Sequence, residues 1–234
     1  MKIVTIIQCR TGSKRLPKKA LLKLGKYRLI EWVIRRVKKS KLTDKVVLAT
    51  SNTRKDKILL KIGKKLKIQT YAGSEENVFS RFRKIQQKFR PNFVIRVCAD
   101  NPFIDPKEID KLINFSVKKK SEYAFNHIPY KKNYYIDGVG AECIFSKYFL
   151  KYKKEVEKNS FHREHVTSYI WKFKKKFKFK YFISPKKYSY PSLKLDIDYK
   201  KDYIKFYNIL KSYNGLPEKF NNKKIIQSLL KSKN

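Results

Sequence analysis

Over its first 125 residues the chain alternates short apolar runs with stretches of helical periodicity, and no other feature constrains its fold as tightly. Ile3 to Ile7 reads as a buried strand, and Leu29 to Val37 as a helix with Ile30, Val33, Ile34 and Val37 on one face. Val46 to Ala49 is a second strand, Ile58 to Leu66 a helix, Ile68 to Tyr71 a short strand, Val78 to Phe89 a helix and Phe93 to Val97 a further strand. Asp105 and Pro106 then open a helix through Val117, Asp105 as N-cap and Pro106 at the first helical position. Strands interleaved with helices in this way predict an α/β protein with parallel strands covered on both faces and right-handed crossovers.

After Tyr123 the pattern changes. Asn126 to Tyr135 is aromatic and polar without a helical period and reads as a loop or hairpin arm. Phe161 to Phe173 reads as helix, and Lys176 to Phe182 as an edge strand whose Lys residues discourage further pairing. Beyond Tyr199 the chain returns to helix, with Tyr203, Phe206, Tyr207 and Leu210 on one stripe. The expected division is one domain in three parts: an alternating core over 1–125, an arm over 126–190 and the C-terminal helices over 191–234.

The 234 residues carry 59 Lys and Arg against 19 Asp and Glu, a formal net charge of +40. Such a chain attracts polyanions at low salt. Only 11 of the basic residues are Arg, the side chain that most often reads base edges, and the Lys run from Lys2 to Lys233 without one basic block. Lys, Ile, Asn, Tyr and Phe are all supplied by AT-rich codons. Codon bias with solvated faces is therefore preferred to a nucleic-acid surface, with a nucleic-acid- or polyanion-binding protein as the reading of a different class. Cys9, Cys98 and Cys143 follow no metal or disulfide spacing. The apolar run after Lys2 stops at Gln8, too short for a signal peptide or a membrane span, so the expected location is cytoplasmic.

Three segments carry chemistry. The run from Gln8 to Lys19, Q-C-R-T-G-S-K-R-L-P-K-K, follows the first strand, where open α/β sheets bind ligands. Gly12 and Ser13 let backbone N–H groups approach phosphate, and Arg10, Arg15 and Lys19 supply cations; the plainer alternative is a surface loop. Asp100, after Phe93 to Val97, borders the same crevice and suits Mg²⁺, which takes one or two carboxylates plus substrate phosphates, or else caps the turn before Pro102. Asp196 and Asp198 are two acids at strand spacing, costly together unless a cation compensates them, or else one caps the helix that follows. Asp202 suits a helix first turn.

Those runs, with A-T-S at Ala49 to Ser51, G-S-E-E-N-V-F-S-R-F at Gly73 to Phe82, R-V-C-A-D-N-P at Arg96 to Pro102, D-G-V-G-A-E at Asp137 to Glu142, R-E-H-V-T at Arg163 to Thr167 and D-I-D-Y-K-K-D from Asp196, resemble the SpsF-type cytidylyltransferases. These are related to the cytidylyltransferases of 3-deoxy-manno-octulosonate and acylneuraminate, and the resemblance runs from Lys2 to about Tyr207. It implies a Rossmann-like, three-layer nucleotidyltransferase fold with a mostly parallel central sheet, CTP as cosubstrate, Mg²⁺ as cofactor, and transfer of CMP to a hydroxyl of an acidic sugar with release of pyrophosphate. It further implies that 1–125 is the nucleotide-binding core, that 126–190 is an arm that binds the acceptor and forms a homodimer, that 191–234 carries the second metal position, and that the product serves surface polysaccharide synthesis.

Carried over position by position, Arg10, Ser13, Arg15 and Lys19 fall on the triphosphate loop, with Gln8, Gly12 and Arg96 beside the nucleotide. Ala49, Thr50 and Ser51 fall near the nucleoside. Asp100 falls on the metal aspartate, and Asp198 with Asp196 on the second metal position. Asp137, Glu142, Arg163, Glu164 and His165 fall on the acceptor side. Arg15, Lys19, Asp100 and Asp198 are the expected catalytic set. Two departures from the family pattern stand out: Lys18 replaces a loop glycine, and Asn77 a common Asp. Another nucleoside triphosphate, or a phosphonate or polyol phosphate acceptor, is the alternative within the same fold.

Overall fold

Strand β1 (Ile3–Gln8) lies at the centre because its alternate side chains feed two cores, Ile3 and Ile7 on one face and Val4 and Ile6 on the other. In the computed structural model, which describes residues 1–231, β1 is followed by a small hairpin, β2 (Lys23–Leu24) and β3 (Tyr27–Arg28), and by helix α1 (Leu29–Val37). Then come β4 (Lys45–Ser51), α2 (Lys57–Lys65), β5 (Gln69–Gly73), α3 (Val78–Phe89), β6 (Phe93–Cys98) and α4 (Pro106–Lys118). The second half holds β7 (Tyr123–Phe125), β8 (Glu142–Phe145), the short helices α5 (Tyr148–Lys151), α6 (Lys153–Glu157), α7 (Ser160–Glu164) and α8 (Ser168–Lys172), β9 (Phe179–Tyr181), α9 (Lys200–Leu210) and α10 (Asn222–Lys231).

Seven strands form one sheet in the order β5-β4-β1-β6-β8-β7-β9. β5, β4, β1 and β6 run parallel, as the alternating pattern predicts, whereas β8 is antiparallel to both neighbours, with Arg96 opposite Glu142 and Ala124 opposite Cys143. The sheet is therefore mostly parallel with one reversed strand. From β1 the chain winds outward to β4 and β5 and then returns to β6 on the other side, so a switch point lies between the carboxyl ends of β1 and β6. The loops that follow these two strands form the crevice.

Helices cover both faces, which makes three layers. α1, α2 and α4 join α9 and α10 over one core, and α3 joins α5 and α8 over the other. Trp32 of α1 is fully buried among Phe103, Tyr213 and Phe220 and donates its indole N–H to the Leu24 carbonyl at 2.9 Å. Side chains of this kind stabilise by about 1.5–3 kcal/mol each when removed from water. The helix starts are specified locally. Asn77 accepts from the Ser80 N–H at 2.8 Å, and Asp105 from the Lys107 N–H at 2.9 Å with Pro106 in the first turn.

Helix ends are less conventional. Lys67, Arg90 and Lys120, just past α2, α3 and α4, have φ of 55°, 48° and 48°, the left-handed conformation that glycine usually fills.

Elsewhere the structure departs from the sequence reading. Phe161 to Phe173 is two short helices broken at 165–167, where Ser168 Oγ donates to the His165 carbonyl at 2.6 Å and lies 2.7 Å from His162 Nδ1. Local side-chain bonding of this sort competes with the helical ladder. Tyr207 leaves the proposed stripe and is exposed, while Phe206 and Leu210 pack inward. The 126–135 stretch folds onto its own sheet: Asn126, Asn133 and Tyr135 are fully buried, and Tyr135 donates to Glu108 at 2.9 Å. β9 is a true edge, parallel to β7.

Candidate active site

Four of the predicted residues meet in the crevice. Lys19 Nζ lies 3.1 Å from Asp100 Oδ2 and 3.4 Å from Asp198 Oδ1, and Arg15 Nη2 lies 2.8 Å from the same Asp198 oxygen. Arg15 also stands 5.0 Å over the Tyr199 ring. Three independent pieces of chain position the group. The loop after β1 carries Arg15 and Lys19, and the loop after β6 carries Asp100. Asp198 is tied to that second loop by the Ile197 N–H to the Asp100 carbonyl at 2.9 Å. Asp202, in the first turn of α9, accepts from the N–H groups of Asp198 and Tyr199 at 3.2 and 2.8 Å, so the segment enters the helix in a fixed pose.

The loop itself hangs on a residue that the motifs did not reveal. Asp56 is fully buried between β4 and α2. It accepts from the Thr11 N–H at 2.8 Å, the Thr11 hydroxyl at 2.5 Å, the Thr50 hydroxyl at 3.2 Å and the Ser51 hydroxyl at 2.5 Å. Burial pushes its carboxyl up, but the bonds from Ser51, Thr11 and Thr50 outweigh that and leave it below the ordinary carboxylate range. Thr50 and Ser51 therefore turn their side chains onto Asp56, and Ala49 is buried, so no side chain of the A-T-S run is displayed to a nucleoside. Only the hydroxyls of Thr50 and Ser51 lie near Asp56 in sequence; the third, Thr11, is 45 residues away and is brought in by the fold.

Within the loop, Thr11 O accepts from the N–H groups of Ser13 and Lys18 at 2.9 and 3.2 Å, and Ser13 Oγ accepts from the Leu16 N–H at 3.3 Å. The Ser13 N–H thus holds the loop's own turn. Lys18 sits at φ 54°, the conformation the family's glycine would adopt freely. Gly12 faces the Lys55–Glu75 ion pair, whose atoms a Cβ would approach to 3.1 Å. Arg10 pairs with Glu164 at 2.8 Å, joining the loop to α7.

Gln8 and Arg96 belong to a second, drier network. Arg96 donates to Gln8 at 3.1 Å and forms a close ion pair with Glu142, which also accepts from Tyr123 at 2.5 Å, while Trp171 donates to Tyr123 at 2.8 Å. Burial alone would raise Glu142, but the adjacent Arg96 guanidinium holds it at about 2. Glu142 is 2% exposed, so it supports Arg96 from beneath and does not face an acceptor, contrary to the sequence expectation.

Asp137 and Asp196 form the floor beside the four-residue group. Gly138, at φ 92°, lets the loop press against the 195–196 backbone, where a Cβ would come within 2.7 Å of the Asp196 nitrogen. Burial, then the neighbouring Asp196, pushes the Asp137 carboxyl up to about 7. Asp196 pairs with Lys194 at 3.3 Å and its Oδ1 is buried without a partner. It therefore does not join Asp198 around Lys19, as the extended spacing suggested. Arg163 donates to the Glu157 carbonyl at 2.7 Å, and His165 is exposed with its ring 4.5 Å from that of Phe161. Neither of these two meets the carboxylate pair.

Among the described residues no group of three or more His, Cys, Asp or Glu gathers to hold a metal. A hard divalent cation needs less: Asp100 and Asp198 present oxygens to one point, now neutralised by Lys19, and Mg²⁺ completes its shell with phosphate and water. The donor set fits Mg²⁺. Paired carboxylates facing flexible cations at the switch point of a nucleotide-type α/β sheet define a nucleotidyltransferase.

The chain belongs to the cytidylyltransferase family, whose sequence model matches residues 4–228. It is similar to the spore coat polysaccharide biosynthesis protein SpsF of Bacillus subtilis, 33% identical over 206 residues, 86% of this chain and 83% of that protein. An uncharacterised protein of Methanocaldococcus jannaschii is 32% identical over 213 residues, 91% and 85% of the two chains. The solved structure of a cytidylyltransferase from Leptospira borgpetersenii superposes with a TM-score of 0.87 at 26% identity, covering 100% of this chain and 95% of that one.

Proposed function

We propose that this enzyme transfers CMP from CTP to a hydroxyl of an acidic sugar, releasing pyrophosphate, to supply surface polysaccharide synthesis. The observation that carries the reading is the meeting of Arg15, Lys19, Asp100 and Asp198 at the switch point. The acceptor hydroxyl attacks the α-phosphorus in line, its oxygen forms the new P–O bond as its proton passes to solvent, and the bond from the α-phosphorus to the β-phosphate oxygen breaks. Arg15 and Lys19 leave their carboxylate partners and neutralise the departing pyrophosphate, with Arg10 as a third cation of the triphosphate cradle. Mg²⁺ held by Asp100 and Asp198, with Asp196 behind them, would supply charge neutralisation at the α-phosphate. On the acceptor side, Arg163 keeps donors beyond its bond to Glu157 for the sugar carboxylate, with Glu164 and His165 next to it in the chain and Asp137 on the other side, beside the carboxylate pair.

Among the described residues no helix is long and apolar enough to cross a membrane, and we place the enzyme in the cytoplasm, where CTP is made. We assign a homodimer to the arm, where Ile183, two residues past β9, is 69% exposed, and sedimentation at twice 28.1 kDa is the expected result. Pyrophosphate release from each nucleoside triphosphate, with Mg²⁺ and a panel of sugar acids, tests the reaction. Release with CTP and one acid is expected, falling by about 10²-fold or more in Asp100→Asn and Asp198→Asn. Full activity in either variant would overturn the site, and tight binding of duplex nucleic acid without nucleotide turnover would favour a polyanion-binding protein.

A further inference from the structure

Lysines scattered along the sequence meet at the end of the sheet opposite the crevice. β1, β4, β5 and β6 run parallel, so their starting residues lie together there. Lys2 precedes β1, Lys45 opens β4, and Lys67 and Arg90 lead into β5 and β6. β8 runs the other way, so Lys147, just past its end, reaches the same place, as does Lys178 before β9. α4 adds Lys118, Lys119 and Lys120 where it closes. All of these side chains are exposed. Backbone bonds hold the strand ends level: the Asn92 N–H donates to the Lys2 carbonyl at 2.7 Å and the Ser146 N–H to that of Asn92 at 2.9 Å, while Phe145 donates to Glu122 at 2.8 Å and Glu122 to Lys178 at 3.1 Å.

Among the described residues none of these cations forms an ion pair. At the crevice end, by contrast, Arg10, Arg15, Lys19, Lys55 and Lys194 each face a carboxylate at 2.8–3.3 Å. Asp44 and Glu122 share the far end but accept from backbone N–H groups, of Ile3 at 2.6 Å and of Lys178 at 2.9 Å. A cation in the last turn of a helix serves the dipole, which accounts for Lys118. Lys2, Lys45 and Lys178 stand at strand starts, where the net dipole is small. Amid these charges opens a cleft of about 450 Å³, lined by the apolar side chains of Phe93, Val117 and Phe145 together with Lys120 and Lys178. Val117 is 38% exposed, so apolar surface is on offer there.

We propose that this end of the sheet docks on an anionic lipid bilayer, its lysines against the headgroup phosphates and the cleft against the acyl boundary. Six strand spacings make the sheet end about 29 Å wide, and unpaired cations run along it from β5 to β9, which suits a broad charged surface. Duplex nucleic acid would meet only a stripe of this front, has no apolar chain to give the cleft, and is read at its base edges by arginine more than by lysine. Lysine, a compact charge on a flexible apolar stem, follows mobile headgroups and covers apolar surface as it does so. A docked enzyme holds its crevice about 20 Å off the bilayer, the length of a six-residue strand, and open to CTP. The docking does not depend on which nucleotide or acceptor the crevice takes.

Co-sedimentation of the full-length protein with vesicles tests it, using phosphatidylcholine alone and phosphatidylcholine with about 30% phosphatidylglycerol, in about 150 mM salt. Wild type is expected on the anionic vesicles and not on the neutral ones. The triple variant Lys118→Gln, Lys119→Gln, Lys120→Gln should lose about 30- to 100-fold in vesicle affinity, each lysine at an anionic surface being worth about fivefold. A second triple variant, Lys219→Gln, Lys223→Gln, Lys224→Gln, removes the same charge around the start of α10, beside the opposite end of α4, and should lose less than about threefold. Val117→Ser should weaken vesicle binding and leave affinity for duplex DNA unchanged, because only the bilayer reaches the cleft. All three variants should melt within about 3 °C of wild type, since the side chains are exposed. Absence of wild type from the anionic vesicles, or equal losses in the two triple variants, would overturn the docking face. Tighter binding to duplex DNA than to the vesicles, with the same loss in the α4 variant, would overturn the bilayer as its partner. CTP turnover reports on the cytidylyl-transfer reading separately and should be unchanged in all three variants.

Discussion

Replacing Asp56 tests whether the phosphate loop is held from below. Its carboxylate receives four hydrogen bonds, one of them from the Thr11 backbone, inside a fully buried site. Bonds to a charged acceptor are worth about 1.5–3 kcal/mol each but do not add when they share one group. After Asp56→Ala the hydroxyls of Thr50 and Ser51 can turn elsewhere, as Ser51 already lies 2.7 Å from the Thr53 hydroxyl, whereas the Thr11 N–H is stranded. The expected loss is about 3–5 kcal/mol, or roughly 6–20 °C in Tm for a chain of this size. Asp56→Asn keeps one carbonyl oxygen and should lose about half as much. Turnover of CTP, measured well below the lowered Tm, should fall more than tenfold because Arg15 and Lys19 ride on the released loop. The folded-state pKa lies below the unfolded value, so this stabilisation is present above the unfolded pKa near 4 and is lost as pH falls through the folded one. The stability gap between wild type and variant should hold from pH 5 to 8 and close in stronger acid. An Asp56→Ala protein melting within about 2 °C of wild type, with wild-type turnover, would refute the anchoring role.

Two further substitutions probe the surroundings. Glu142→Gln leaves the half-buried Arg96 without its counter-ion and should cost about 3–5 kcal/mol in urea unfolding; because Glu142 is held at about 2, the difference should shrink only as pH falls from about 4 toward 2. Lys18→Gly relieves a left-handed residue worth about 1–2 kcal/mol, less about 0.5–1 for the glycine's unfolded freedom, so Tm should rise by about 1–4 °C while Lys18→Val lowers it.

Legibility from sequence followed element length and the locality of the signal. α1 and α3 occupy the residues that their apolar spacing predicts, and Asp105 with Pro106 marks the start of α4, because these signals act within a few residues. β7 and β8 are three and four residues long, too short to show a period, so the reversed strand that places Glu142 under Arg96 was invisible. Arg15, Lys19, Asp100 and Asp198 were legible because charge and strand-end position select them together. Asp56 was not, because it is defined by hydroxyls from the loop after β1 and from β4.

Asp198 is 183 residues from Arg15 and 179 from Lys19, yet it forms an ion pair with both. Strands β1, β4, β5 and β6 are all complete by Cys98, so a growing or clipped chain can own most of its sheet while lacking a finished site. Ligand affinity is then a property of the chain that includes Asp198, and bound nucleotide would shift the folding equilibrium only for molecules in which the segment from Leu195 has docked. Saturating CTP should shield full-length protein from protease and leave fragments that end before Leu195 as vulnerable as they were, which makes the substrate itself an inspector of completed synthesis.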